Sequence, residues 1–349
     1  MKKEVSSPGR KRVEYIDIAK AFAIFLVLLG HTVDSGTACK NVLYSFHMPL
    51  FFLLSGMVIN RKKYYGIKST WVPFLRKKFF SLLIPYLIWG CIYASFSFKN
   101  LVFIAYGSRE TLGCAGSLTS LWFIPVLILA SLLSELFFYC SEKIRVNRNL
   151  LIVITCPCLS IVGFTLPHWG KYGDPWGIDI AFVAAVFILL GYLIRPIGDI
   201  LERKHFLLQI LVLILSAIVF IIGIRYNITS TGYVLMANAI YGNYAMFLLN
   251  AVAGSLIVIL FSAMVSRLHF NKKFLFYIGQ NTLGIFIVHK PLVELGRLLA
   301  ARMGMNYNNI MLALTITIIS MICACIIIKI ISIFAPELLG KETRYKEIS

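Results

Sequence analysis

Ten apolar runs dominate the chain, near residues 16–34, 42–60, 78–98, 119–140, 149–166, 178–195, 205–225, 243–265, 276–299 and 309–334. At 1.5 Å of rise per residue, a helix of roughly 20 residues spans the hydrocarbon core of a bilayer. Backbone polar groups in hydrocarbon must satisfy one another, so runs of this length fold as helices. The expected fold is therefore all-α: one polytopic domain over 15–335 with about ten transmembrane helices. A basic tail, 1–14, precedes it and a short tail, 336–349, follows. Of the 349 residues, 59% are hydrophobic and only 14% charged, where soluble domains carry roughly 25% charged residues.

The formal net charge of +19 invites a nucleic-acid reading. The basic residues instead sit in short clusters between apolar runs, which argues against nucleic acid and for contact with anionic membrane lipids. Alternate loops carry unequal charge. The set that includes both chain ends holds 24 Lys and Arg, the other set seven. Positive charge collects on the cytoplasmic side, so both termini are expected there, in a plasma membrane of the bacterial inner-membrane kind. The basic stretch before the first run resembles a signal peptide. With Asp17, Lys20 and His31 inside that run and many spans behind it, a retained first helix is the expectation. The "CPC" at 156–158 and "CAC" at 323–325 lack zinc-site spacing, so no metal is expected. Cys39 and Cys114 fall in loops on the outer side, which leaves a disulfide open.

Ionisable groups inside a span are costly and usually pair, line water or do chemistry. Lys20 and His31 lie eleven residues apart, about 16 Å along a helix and close to three full turns, so both project from one face. That geometry suits a grip on something long. Asp34, one turn further, either orients the imidazole or is a solvated loop residue. His47 opens the second run at the depth of His31, with Pro49 suited to a first helical turn. Arg76, Lys77 and Lys78 enter the third run from the Lys20 side, where they would hold lipid phosphates or an anionic cofactor. Pro85 favours a kink there. Trp122 is either an interface-belt residue or a platform for a sugar face near His31. In the ninth run Asn281 and His289 are polar, and His289, mid-membrane beside Lys290, needs partners or water.

The blocks "YIDIAKAFAIFLVLLGH", "FHMPLFFLLSG", "RKKFFSLLIPYLIW", "LWFIPVLIL" and "IGQNTLGIFIVH" together resemble the membrane acyltransferase 3 family. Within it they resemble the branch associated with fucose or polysaccharide O-acetylation. The resemblance extends from residue 15 to about 289 and implies ten core helices. It also implies transfer of an acyl group, commonly acetyl from acetyl-CoA, to a carbohydrate across the membrane. The family's first-helix signature is a basic residue, ten intervening residues and a histidine. Lys20 and His31 match it, with Lys where many members have Arg; Lys binds phosphate as a point charge without bidentate geometry. On this resemblance Lys20, with Arg76, Lys77 and Lys78, holds the CoA phosphates at the cytoplasmic mouth, and the pantetheine arm climbs to His31. His31 is then a general base or an acyl relay. His47 positions the acceptor or shares proton transfer, Asn281 and His289 hold the arm or polarise its carbonyl, and Trp122 meets the acceptor. A lipid-linked or polymeric glycan is the expected acceptor. The rival is an exporter or flippase of polysaccharide or lipid-linked sugar, which has no need of a base and a histidine matched to a cofactor arm. A different donor, such as succinyl-CoA, is the third reading.

Overall fold

The computed structural model describes residues 13–34, 36–59, 71–95, 97–116, 118–144, 147–166, 170–204, 206–305 and 309–341. The basic tail up to residue 12, the charged loop over 60–70 and the end of the chain beyond 341 lie outside the described residues. Among the described residues the only strand-like pairing is one isolated bridge between Leu235 and Ile240. The protein is an all-α, multi-pass membrane protein. Among the described residues seven stretches are long and apolar enough to cross a bilayer: Glu14–Thr32, Thr119–Ile144, Arg148–Thr165, Pro175–Asp199, Phe206–Asn227, Tyr244–Arg267 and Ile310–Phe334. They coincide with seven of the ten apolar runs.

The other three runs are broken helices, and each break has a local cause. The run over 42–60 divides into α2 (Ala38–Tyr44) and α3 (His47–Met57), with Phe46 at a non-helical φ of −145° between them. Pro49 in the first turn of α3 has no N–H to donate back across the junction, which favours a restart over continuation. The run over 78–98 begins as α4 (Trp71–Lys78), widens into a π-helical turn over Phe79–Leu83 and continues as α5 (Ile84–Tyr93). Pro85 is the cause: it cannot donate to the Ser81 carbonyl, and Ile84 N–H reaches back five residues to Phe79 in a π-bulge. Gly340 packs against the freed carbonyl, so closely that a Cβ there would lie 2.3 Å from Ser81 O.

The ninth run divides at Asn281 into α13 (Lys273–Gln280) and α14 (Thr282–Arg302). Asn281 Nδ2 donates to Tyr277 O at 2.7 Å and its Oδ1 accepts from Lys341 Nζ at 2.7 Å. The segment Pro336–Leu339 is a short 3₁₀ turn whose Leu339 is buried. Trp89 Nε1 donates to Leu338 O at 2.9 Å. The chain after the last long helix is thus packed into the body at the Asn281 break.

Helix α1 (Glu14–Thr32) is central, against α3, α13, α14, α12 (Tyr244–Arg267) and α15 (Ile310–Phe334). Beside it, α3 crosses α10 (Ile178–Lys204) at a paired glycine contact. A Cβ on Gly56 would sit 1.9 Å from Ile188 O, and one on Gly191 would sit 2.0 Å from Leu53 O. Small residues of this kind let two membrane helices approach backbone to backbone. By contrast, α9 (Arg148–Thr165) and α11 (Phe206–Thr231) present exposed apolar side chains such as Ile154, Ile161, Leu211, Ile218 and Ile222. In a bilayer these faces meet lipid.

Candidate active site

Three histidines from three elements converge beyond the glycine crossing. His31 closes α1, His47 opens α3 and His289 lies within α14. Ring centroids of His31 and His289 are 5.0 Å apart. His289 is fully buried, packed on Phe286 at 5.4 Å, and its Nδ1 meets Phe286 O. His47 is buried against Tyr44 at 4.9 Å, with Nδ1 on Leu43 O at 2.6 Å. A carbonyl oxygen only accepts, so both Nδ1 atoms carry the proton and each Nε2 is left as a lone pair. The Nε2 of His289 has no hydrogen-bond partner among the described residues.

His31 is half-buried, and its ring nitrogens make no hydrogen bond to the described protein. It faces a cavity of about 550 Å³, lined also by Tyr44, His47, Arg109, Trp122 and Phe286. An imidazole open to a cavity and flanked by two histidines of fixed tautomer can accept a proton or bond to an electrophile. Among the described residues no group of three His, Cys, Asp or Glu could hold a metal ion. Cys39 and Cys114 are both free thiols.

A second cavity, of about 660 Å³, lies toward the Lys20 end. Ser55 of α3, Lys77 and Lys78 of α4, Ser131 and Glu135 of α8 (Phe123–Ile144) and Ile188 of α10 contribute to its wall. Lys78 turns inward and donates to Ser131 Oγ at 2.9 Å. Arg76 departs from expectation. It is exposed, its guanidinium 5.9 Å from the Phe80 ring, and it faces an open apolar groove rather than this cavity. Lys20 is half-buried on α1 and is not among the residues lining the cavity. Between the two cavities the Phe123 ring packs on Phe51, Phe52 and Phe286 at 5.9, 4.9 and 5.2 Å.

Three other expectations change. Asp34 does not reach the imidazole: α1 ends at Thr32, Val33 is extended, and the Asp34 carboxylate accepts from Arg297 Nη2 at 2.5 Å. Asn281 has both ends of its amide engaged within the fold, so it is a brace for the α13–α14 break rather than a free ligand for the donor arm. His289 offers a lone pair rather than an N–H, so polarising the donor carbonyl does not fit its tautomer. Trp122 is buried in the wall of the His31 cavity. Sequence reasoning missed Arg109, counted only as a loop charge, and Phe286, hidden in an apolar run. It also missed the 235–237 segment that closes the cavity.

The fold and the site together define a multi-pass α-helical membrane protein with a histidine-lined cavity. The family model for the acyltransferase domain of the acyltransferase 3 family matches residues 13–329, and the chain belongs to that family. No curated protein and no solved structure matches the chain. It is an acyltransferase.

The Asp34–Arg297 pair, whose side chains are 26% and 35% exposed, gives a prediction. Asp34→Asn is expected to cost only about 0.2–1 kcal/mol of stability, the range for partly exposed ion pairs, and to leave acyl transfer nearly intact. An orienting carboxylate in a catalytic triad is worth about 10⁴-fold. A rate loss of that size, measured beside the unfolding temperature, would restore Asp34 to the mechanism.

Proposed function

We propose that the protein moves an acetyl group from acetyl-CoA to a hydroxyl of an envelope glycan, with His31 at the reacting end. One observation carries this reading: the lysine-lined and histidine-lined cavities are stacked along the same two walls. On α3, Ser55 lies eight residues from His47, about 12 Å along the axis; Ser131 lies nine residues beyond Trp122, about 13 Å. A long, thin pantetheine arm fits that separation. Lys77 and Lys78 hold phosphate groups at one end, and the thioester comes to His31 at the other once the Phe123 ring turns aside. Lys20, about 16 Å from His31 along α1, adds positive charge on the donor side. The loop charges support a cytoplasmic donor side, in keeping with a plasma-membrane protein.

His31 removes the proton of the acceptor hydroxyl as its oxygen bonds to the thioester carbonyl carbon. The carbon–sulfur bond breaks, and the departing CoA thiolate takes the proton from the imidazolium. His47 holds the acceptor, and the His289 ring, its centroid 5.0 Å away, packs beside His31. Exchange of label between acetyl-CoA and CoA without acceptor would instead make His31 an acyl relay.

The test is acetyl-CoA consumption by protein in nanodiscs, with succinyl-CoA in parallel to fix the donor. Charge-assisted contacts contribute about 1.5–3 kcal/mol each, so Lys78→Ala should raise KM for the donor roughly 10–100-fold with a smaller change in kcat. Lys20→Ala should act in the same direction. Unchanged KM in both variants would remove the anchoring role. An exporter would consume neither thioester, and its glycan traffic would survive loss of His31.

A further inference from the structure

Outside the two stacked cavities, an open apolar groove of about 990 Å³ runs along α4. Val72, Arg76 and Phe79 follow one another at spacings of four and three, so they share a face of the helix. Phe80 and Leu83 extend the lining through the π-helical turn, and Ile128 and Leu132 of α8 form the opposite wall. The contacts of α8 fix the direction of the groove. Lys78 donates to Ser131 Oγ at 2.9 Å, which sets the basic end beside Leu132. Trp176 closes the other end. Its Nε1 donates to Ala105 O at 2.8 Å, and Gly177 next to it packs on Val126. From Val72 to Leu83 the groove is roughly 16 Å long by the helix rise.

In the described lining Arg76 and Lys78 are the only charged residues, and both are positive. Lys78 is taken up by Ser131. Arg76 is exposed and makes no hydrogen bond or ion pair among the described residues; its guanidinium rests 5.9 Å from the Phe80 ring. A guanidinium set in an apolar stripe of a membrane helix is costly unless it meets an anion. Its fork of N–H donors matches a phosphate bidentately. The groove beyond it is about as long as one leaflet's hydrocarbon is deep, half of a core roughly 30 Å thick. With no carboxylate in the described lining, a choline or ethanolamine ammonium finds no partner there, so a headgroup of net negative charge is favoured.

We infer that the groove is a binding site for one anionic phospholipid, its phosphate on Arg76 and one acyl chain lying between α4 and α8 toward Trp176. Lys78 lines this groove as well as the lysine-lined cavity, so the lipid backs a wall of that cavity.

The experiment reads lipid retention rather than turnover. The full chain is placed in nanodiscs of equal parts phosphatidylglycerol and phosphatidylcholine with matched acyl chains, then released and weighed by native mass spectrometry. One phosphatidylglycerol should stay bound, in preference to phosphatidylcholine. Arg76→Gln should lower its retention roughly 10–100-fold, the range for losing a charge-assisted contact. Arg76→Lys should restore most of it, and Leu83→Trp, which fills the groove with Arg76 intact, should lower it again. Lys143→Gln, a basic residue outside the groove, should change nothing. Arg76 is exposed, so its two variants decide the matter even where the larger side chain at position 83 disturbs the π-turn. Retention unmoved by Arg76→Gln would overturn the site and leave a guanidinium that merely reaches to water. Equal retention of phosphatidylcholine would overturn the anionic preference, and an equal loss in Lys143→Gln would make the effect one of general surface charge. Displacement of phosphatidylglycerol by an equimolar polyprenyl phosphate would reassign the groove to that lipid.

Discussion

Replacing His31 with alanine is expected to lower acyl transfer by roughly 10²–10⁴-fold, the usual contribution of a positioned general base, with the fold intact. The side chain explains both halves of that expectation. It is half-buried, it faces the cavity, and its ring nitrogens make no hydrogen bond to the described protein. The hydrogen bond from Arg297 Nη1, at 3.5 Å, goes to the His31 backbone carbonyl and survives the substitution. The other two histidines are poorer probes. His47 and His289 are buried, the first bound to Leu43 O of α2 and the second to Phe286 O of its own helix. Removing either leaves a void in the packing, and stability falls along with activity. The measurement pairs acyl-CoA turnover with thermal unfolding in the same nanodiscs. Turnover near the wild-type rate would exclude His31 from the chemistry, and an unfolding temperature that collapses would make its role structural.

The long helices were legible because hydrocarbon leaves the backbone no alternative to internal hydrogen bonding. Seven of the ten runs are such helices. In the other three, single residues govern: Pro49 restarts a helix, Pro85 forces a π-turn, and Asn281 ties its amide to Tyr277 and Lys341. Hydropathy is insensitive to these, although Pro85 had already marked a kink. The meeting of His31, His47 and Trp122 was readable from depth along each span. Azimuth was not, so the sequence could not say that His289 faces His31 or that Arg76 turns outward. Asp34 illustrates the limit of spacing rules: i,i+3 proximity presumes a helix that continues, and α1 stops two residues short of it. Arg109 gave no signal because it opens a helix of only six residues, Arg109–Cys114, too short to show a period.

Gly191→Ala is expected to destabilise the protein by about 1–3 kcal/mol or more, the usual cost of overpacking a tight interior, and to lower activity without touching any group in the chemistry. The added carbon would lie 2.0 Å from Leu53 O, 2.8 Å from its carbonyl carbon and 3.0 Å from its Cα. All three are backbone atoms, so no side-chain rotation relieves the overlap. The only relief is for α3 and α10 to move apart. Helix α3 carries His47 into the upper cavity and Ser55 into the lower one, so a shift of this helix disturbs both walls at once. Gly56 meets α10 from the other side, where an added Cβ would sit 1.9 Å from Ile188 O, and Gly56→Ala should behave alike. The double variant decides whether one crossing is at stake. Separation forced by the first methyl already makes room for much of the second, so the combined loss in unfolding free energy should fall below the sum of the single losses. Two losses that add in full would mean that the two glycines serve separate contacts, and an unfolding temperature unmoved by either would mean that the helices do not approach this closely.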